Sequence, residues 1–130
     1  MNLFRVYGDE SGETHLVRID LPLVENPPDG LGTRLGLLNV PATTLDINEL
    51  LGPKEDRGFH TISRRQLVVV LRGVLEITTT AGDCERLQAG DCLIADDPDT
   101  TKGHRARDVG DERLASLVVG IGPEWECPVS

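Results

Sequence analysis

Aromatic side chains are nearly missing from this sequence, which has one Trp, one Tyr and two Phe among 130 residues. Any core must therefore be aliphatic, built from the short Val, Leu and Ile runs spread along the chain. Basic charge is also short: 13 Lys and Arg stand against 22 Asp and Glu, a formal net charge of −9. Repulsion from phosphates then argues against nucleic acid or an anionic membrane surface as partner, and favours a small molecule. No apolar run approaches the roughly eighteen residues of a membrane span. The opening MNLFRVYGDESGE lacks the basic and apolar regions of a secretory signal, so a soluble, cytoplasmic protein is expected. The three cysteines, Cys84, Cys92 and Cys127, have no CxxC spacing, which indicates neither a disulfide framework nor a zinc ribbon. Cys84 and Cys92 fall in strand-like segments and are expected to pack as small buried thiols. The GxSxG, P-loop, GxGxxG and HExxH patterns are all absent, which removes most support for hydrolase or nucleotide-dependent chemistry.

What is present reads as one domain over residues 1–130. Gly and Pro mark loops at 9–12, 25–32 and 52–58. Between them THLVRIDL (14–21), RLGLLNV (34–40) and TTLDINEL (43–50) are short, and the first and last alternate apolar with polar residues as half-buried strands do. Strand signal then thickens: 66–72, 74–80, 84–87, 92–95, 104–109 and 113–119, separated by regular turn residues. That rhythm predicts an antiparallel sandwich or barrel with negligible helix. His15, in a predicted edge strand, is expected at the surface, and DDPDTTKG (96–103) is expected as a mobile loop at the barrel mouth.

One constellation stands out. Six residues separate Gln66 from Gly73, three separate Ile62 from Gln66, and Thr61 alone separates Ile62 from His60. Further on come Gly90, His104 and Asp108. This stretch, 58–110, resembles the two motifs of the cupin superfamily. His60 and Ile62 stand at the two His positions of the first motif and Gln66 at its Glu position. The second motif is matched by Gly90 and His104, with Asp108 in place of Asn. The loop before His104 is three residues longer than the pattern. The resemblance implies an all-β fold, a cupin-type jelly-roll β-barrel or sandwich of antiparallel strands, with Gly73 and Gly90 at tight turns.

Residues 60, 62, 64 and 66 share parity, so an extended chain would place His60, Ile62, Arg64 and Gln66 on one face, predicted to be the barrel interior with Val68 and Val70. Arg64 would there clamp a carboxylate or enolate oxygen, unless a bend in the strand expelled it. Glu49 shares parity with Leu45 and Ile47, and would face the core as a general acid or base if that strand is regular. Arg105 and Arg107 read as solvated or salt-bridged. The resemblance also implies a divalent ion (Fe, Zn, Ni or Mn) at His60, Gln66 and His104. Replacing one imidazole by Ile62 and the carboxylate by Gln66 weakens any such site, so the expectation is no cofactor or a weakly held metal.

The functional expectation is a biosynthetic cupin enzyme performing acid–base isomerisation, cyclisation or dehydration. His60, His104 and Glu49 would be its catalytic groups, and Gln66, Ile62 and Arg64 its substrate contacts. A metal-dependent dioxygenase and a non-catalytic ligand-binding cupin are the alternatives. Homodimerisation is expected, with the N-terminal strands NLFRVY and THLVRIDL pairing across the interface or covering a sheet edge.

Overall fold

A computed structural model describes residues 1–28, 32–52, 54 and 56–128. The parts of the expected loops at 29–31, 53 and 55 lie outside the described residues. Eleven strands and no helix are found among those described. They are β1 (Leu3–Gly8), β2 (Thr14–Ile19), β3 (Leu23–Glu25), β4 (Arg34–Gly36), β5 (Ala42–Glu49), β6 (Gln66–Arg72), β7 (Leu75–Thr79), β8 (Cys84–Leu87), β9 (Cys92–Asp96), β10 (His104–Asp108) and β11 (Ala115–Ile121).

The large sheet has the order β2-β1-β9-β6-β11-β5 and the small one β10-β7-β8, while β3 and β4 form a separate hairpin. His60 adds a single antiparallel bridge to His104 at the free side of β10. The four strands β5-β11-β6-β9 on one side and the His60 segment-β10-β7-β8 on the other make the eight-stranded order of a jelly roll. The chain is an all-β jelly-roll sandwich. One pairing departs from the antiparallel expectation, because β1 runs parallel to β9. The N-terminal strands thus cover a sheet edge within the same chain.

Alternation within strands builds two apolar layers. Phe4, Val6, Leu16, Val68, Val70, Leu75, Ile77, Leu87, Leu93 and Leu114 fill the space between the sheets. Leu3, Ile19, Ile94 and Ile121 form a second layer, packed by Leu21, Leu38, Val40 and the C-terminal Trp125. Gly73 and Gly90 take φ of 85° and 91°, as their turn roles require.

Polar pairs hold the exterior. Glu76 on β7 accepts from Arg107 Nε of β10 (3.1 Å) and Arg86 Nε of β8 (3.1 Å), tying all three strands of the small sheet through a side chain only 8% exposed. Arg107 first, then Arg86, holds the Glu76 carboxyl below its ordinary value of 4.5. A depressed carboxyl contributes stability above its unfolded value and loses that contribution as pH falls through the folded one. Unfolding followed between pH 7 and pH 3 should therefore be less pH-dependent in Glu76→Gln than in the wild type. The variant should also be about 2 kcal/mol less stable at pH 7, the scale of lost hydrogen bonds to a charged group. Equal pH slopes would remove Glu76 from this role.

Two expectations about burial are corrected here. Cys84 is exposed, because it lies on the outward face of the edge strand β8, and Cys92 is half-buried, its thiol pushed up by that burial. DDPDTTKG is not simply a loop: Asp96 ends β9, and Asp97 is wholly buried. His15 lies on the edge strand β2, half-exposed and 2.6 Å from Asp9.

Candidate functional site

The small sheet turns the even-numbered side chains of β10 inward. His104 and Asp108 are buried on that face and Ala106 packs against the inter-sheet core, while Arg105 and Arg107 point outward to Asp56 and Glu76. The segment before β6 is fastened onto β10 at three places. The backbones of His60 and His104 exchange two hydrogen bonds (3.0 and 3.1 Å). Arg105 Nε donates to Asp56 Oδ1 (2.9 Å), which, with the Gly58 amide, holds the Asp56 carboxyl down to about 2. Lys54 Nζ lies 3.1 Å from Asp108 Oδ1.

These contacts enclose a cleft of about 480 Å³ with an apolar floor of Leu75, Ala106 and Leu114. His60, Asp108, Lys54 and Arg57 supply its polar groups, and Glu49 stands at its rim. The volume suits a small metabolite. The Asp108 side chain is 5% exposed, and its Oδ1 has no aligned hydrogen-bond donor even though the Lys54 ammonium is near. A buried carboxylate oxygen left in that state is one that a bound molecule would satisfy.

The two imidazoles sit side by side, ring centroids 5.7 Å apart. His60 is exposed to the cleft, whereas His104 is buried and its Nδ1 lies 2.6 Å from Asp97 Oδ2. With Asp97 ionised as acceptor, Nδ1 carries the proton and Nε2 is the free nitrogen of His104.

The predicted shared face of residues 60 to 66 is corrected by the geometry. Bends at Ser63 and Arg64 break the extended chain before β6 begins, so parity is not carried through. His60 lines the cleft just described, while Ile62 and Arg64 line another, and Arg64 is exposed, 3.4 Å from Asp46. Gln66 shares the parity of the buried Val68 and Val70 at the start of β6, and no hydrogen bond joins its side chain to either imidazole. Glu49 does share a face with Leu45 and Ile47, but β5 is the edge strand of the large sheet and all eight of its residues are exposed. Leu45 and Ile47 are 59% and 72% exposed, and Glu49 accepts from Arg72 (2.6 Å). Asp97, Lys54, Arg57 and Asp108 are the groups that residue patterns alone did not nominate for chemistry. Asp108 was in view only as a motif position.

The donors do not make a dedicated metal site. Ile62 offers none and Gln66 offers only a neutral amide, so of the four motif positions only His60 and His104 bring imidazoles. Among the described residues no three His, Cys, Asp or Glu side chains are grouped to hold an ion.

No protein-family profile and no curated protein sequence matches the chain. Solved structures do. Protein NMB1881 of Neisseria meningitidis aligns at 16% identity over 65% of this chain and 79% of its own, with a TM-score of 0.47. A cupin protein of Bacteroides fragilis aligns at 24% identity over 65% and 70%, TM-score 0.43. A proposed ethanolamine utilization protein Q of Salmonella typhimurium aligns at 14% identity over 93% and 95%, TM-score 0.38. The decisive observation lies in the chain itself, whose jelly-roll strand order is extended by the bridge that sets His60 beside His104 of β10. The fold is cupin-like. In this cupin-like barrel, the first-motif positions 60 and 62 serve two different clefts. No helix among the described residues is long and apolar enough to cross a membrane.

Proposed function

We propose that this cupin-like protein is a small-molecule enzyme using general acid–base catalysis, of the isomerase, cyclase or dehydratase kind, in the cleft between His60 and Asp108. The observation that carries this reading is the buried Asp108 carboxylate, its Oδ1 3.1 Å from Lys54 Nζ, in the same apolar-floored cleft as the exposed imidazole of His60. A carboxylate and an imidazole flanking one small volume are a base and an acid for a substrate held between them.

In this reading Asp108 takes a proton from a C–H beside a carbonyl, and His60 delivers one to the carbonyl oxygen or a leaving hydroxyl. Lys54 and Arg57 balance the negative charge that develops, in a cleft where apolar walls strengthen such attraction. The Asp97–His104 pair stands behind His60, 5.7 Å ring to ring, and fixes the wall on which His60 rests. A biosynthetic, cytoplasmic setting is consistent with this chemistry.

The test needs no foreknowledge of the natural substrate. Solvent deuterium incorporation next to the carbonyl of a panel of keto-sugars and keto acids, followed by proton NMR, should be accelerated by the wild type. Asp108→Asn should remove that acceleration. A panel with no accelerated member, or exchange that persists in Asp108→Asn, would count against the proposal. Exchange lost on chelation and restored by a divalent ion would instead favour a metal enzyme.

A further inference from the structure

A second cleft opens at the other end of the sandwich. Strand β5 gives Glu49 to the first cleft and Thr43 to this one, and β11 is preceded by Leu114 at the first and ends in Ile121 here. Its volume is about 590 Å³.

The wall contains a carboxylate whose chemistry is unfinished. Asp97 is 0% exposed. Its Oδ2 is satisfied by His104 Nδ1 at 2.6 Å, but its Oδ1 is buried with no hydrogen-bond partner among the described residues. Leaving a carboxylate oxygen desolvated and unpaired is expensive, and the cost is removed by a bound donor, best of all a cationic one. Opposite charge is available at the same cleft. Arg64 is 45% exposed and reaches Asp46 only at 3.4 Å, so its guanidinium is free to take a better partner. Ile62, Ile121, Pro98 and Pro123 give the lining its apolar part, beside Asp99 and the Arg65–Asp96 pair.

A buried acceptor, an exposed guanidinium and an apolar wall together describe a molecule with an ammonium, a carboxylate and a short aliphatic body. We infer that the second cleft binds a small aliphatic amino acid, its ammonium on Asp97 and its carboxylate on Arg64. This site shares no lining residue with the first cleft, although Asp97 also holds His104 behind His60, so binding is read separately from catalysis.

Leucine, its decarboxylated amine 3-methylbutylamine and its deaminated acid 4-methylpentanoate separate the contributions. Titrations followed by amide proton–nitrogen NMR should show leucine binding, with shifts concentrated at 62–65, 96–99 and 121–123. The amine should bind more weakly and the acid more weakly still. Arg64→Gln, a change at an exposed side chain, should weaken leucine by about tenfold and leave the amine within about twofold. Asp97→Asn should weaken leucine and amine alike; if that variant does not fold, the ligand series and Arg64→Gln decide. The inference is overturned if none of the three binds at about 10 mM. It is equally overturned if the acid matches leucine, if Arg64→Gln leaves leucine affinity unchanged, or if the shifts gather at 54–60 and 106–114.

Discussion

Asp108→Asn and His60→Ala should each lower turnover by about a hundredfold or more, the usual contribution of a positioned general acid or base, while leaving the fold intact. The two changes differ in what else they disturb. Asn keeps the shape of Asp and retains an oxygen near Lys54, so the buried position is not emptied. His60 is exposed, and its fold-bearing contacts are two backbone hydrogen bonds that Ala also makes. Thermal unfolding of both variants should lie within a few degrees of wild type, a shift of about 1 kcal/mol or less. If the two residues act as a pair on one substrate, the double variant should lose little more than the worse single one, because half of an acid–base pair contributes little alone. Full activity in either variant would take that residue out of the chemistry.

Gly103→Ala should be the most damaging single-methyl change in the barrel. Gly103 has φ of 75°, where an L side chain is strained by about 1–2 kcal/mol. A Cβ there would lie 2.1 Å from the His60 carbonyl oxygen and 2.8 Å from the Thr61 nitrogen, both backbone atoms that no rotamer change can move. The bridge between His60 and His104 must then part, and the segment that carries His60 must lift from β10. A loss of about 3 kcal/mol or more is expected, about 10 °C in melting temperature for a domain of this size, together with loss of activity. Gly52→Ala is the control, with open space around its Cβ position and an expected effect within about 0.5 kcal/mol. If Gly103→Ala melts like the control, the His60 segment does not sit where the bridge puts it.

Strand content was legible in the sequence because alternation and turn residues are local. The bounds read for Gln66–Arg72 and Cys84–Leu87 coincide with β6 and β8, and Gly73 and Gly90 do turn the chain. The site was less legible because parity says which residues share a face and not which face another layer covers. Leu45, Ile47 and Glu49 illustrate this: they share a face of an edge strand whose eight residues are all exposed. Parity also fails where a chain bends, which is why His60 and Arg64 part company although Val68 and Val70 face the core as expected. Asp97 was hidden by its neighbours, since acids beside Pro98 read as a turn. The signal that would have exposed it is an acid directly after the apolar run of β9 and seven residues before His104. Lys54 and Arg57 had no signal at all: their importance comes from the fold-back of residues 54 and 56–60 onto β10.

His60 lies in the barrel mouth beside His104, in the cleft floored by Leu75, Ala106 and Leu114. Because the chain has only three histidines, their ring protons are assignable by substitution. A nuclear Overhauser spectrum in deuterated water is the direct measurement. The account expects cross-peaks from the His60 ring to the His104 ring and to the Ala106 and Leu114 methyls, all absent in His60→Ala. A His60 ring with no cross-peak to His104 or to those methyls would contradict it.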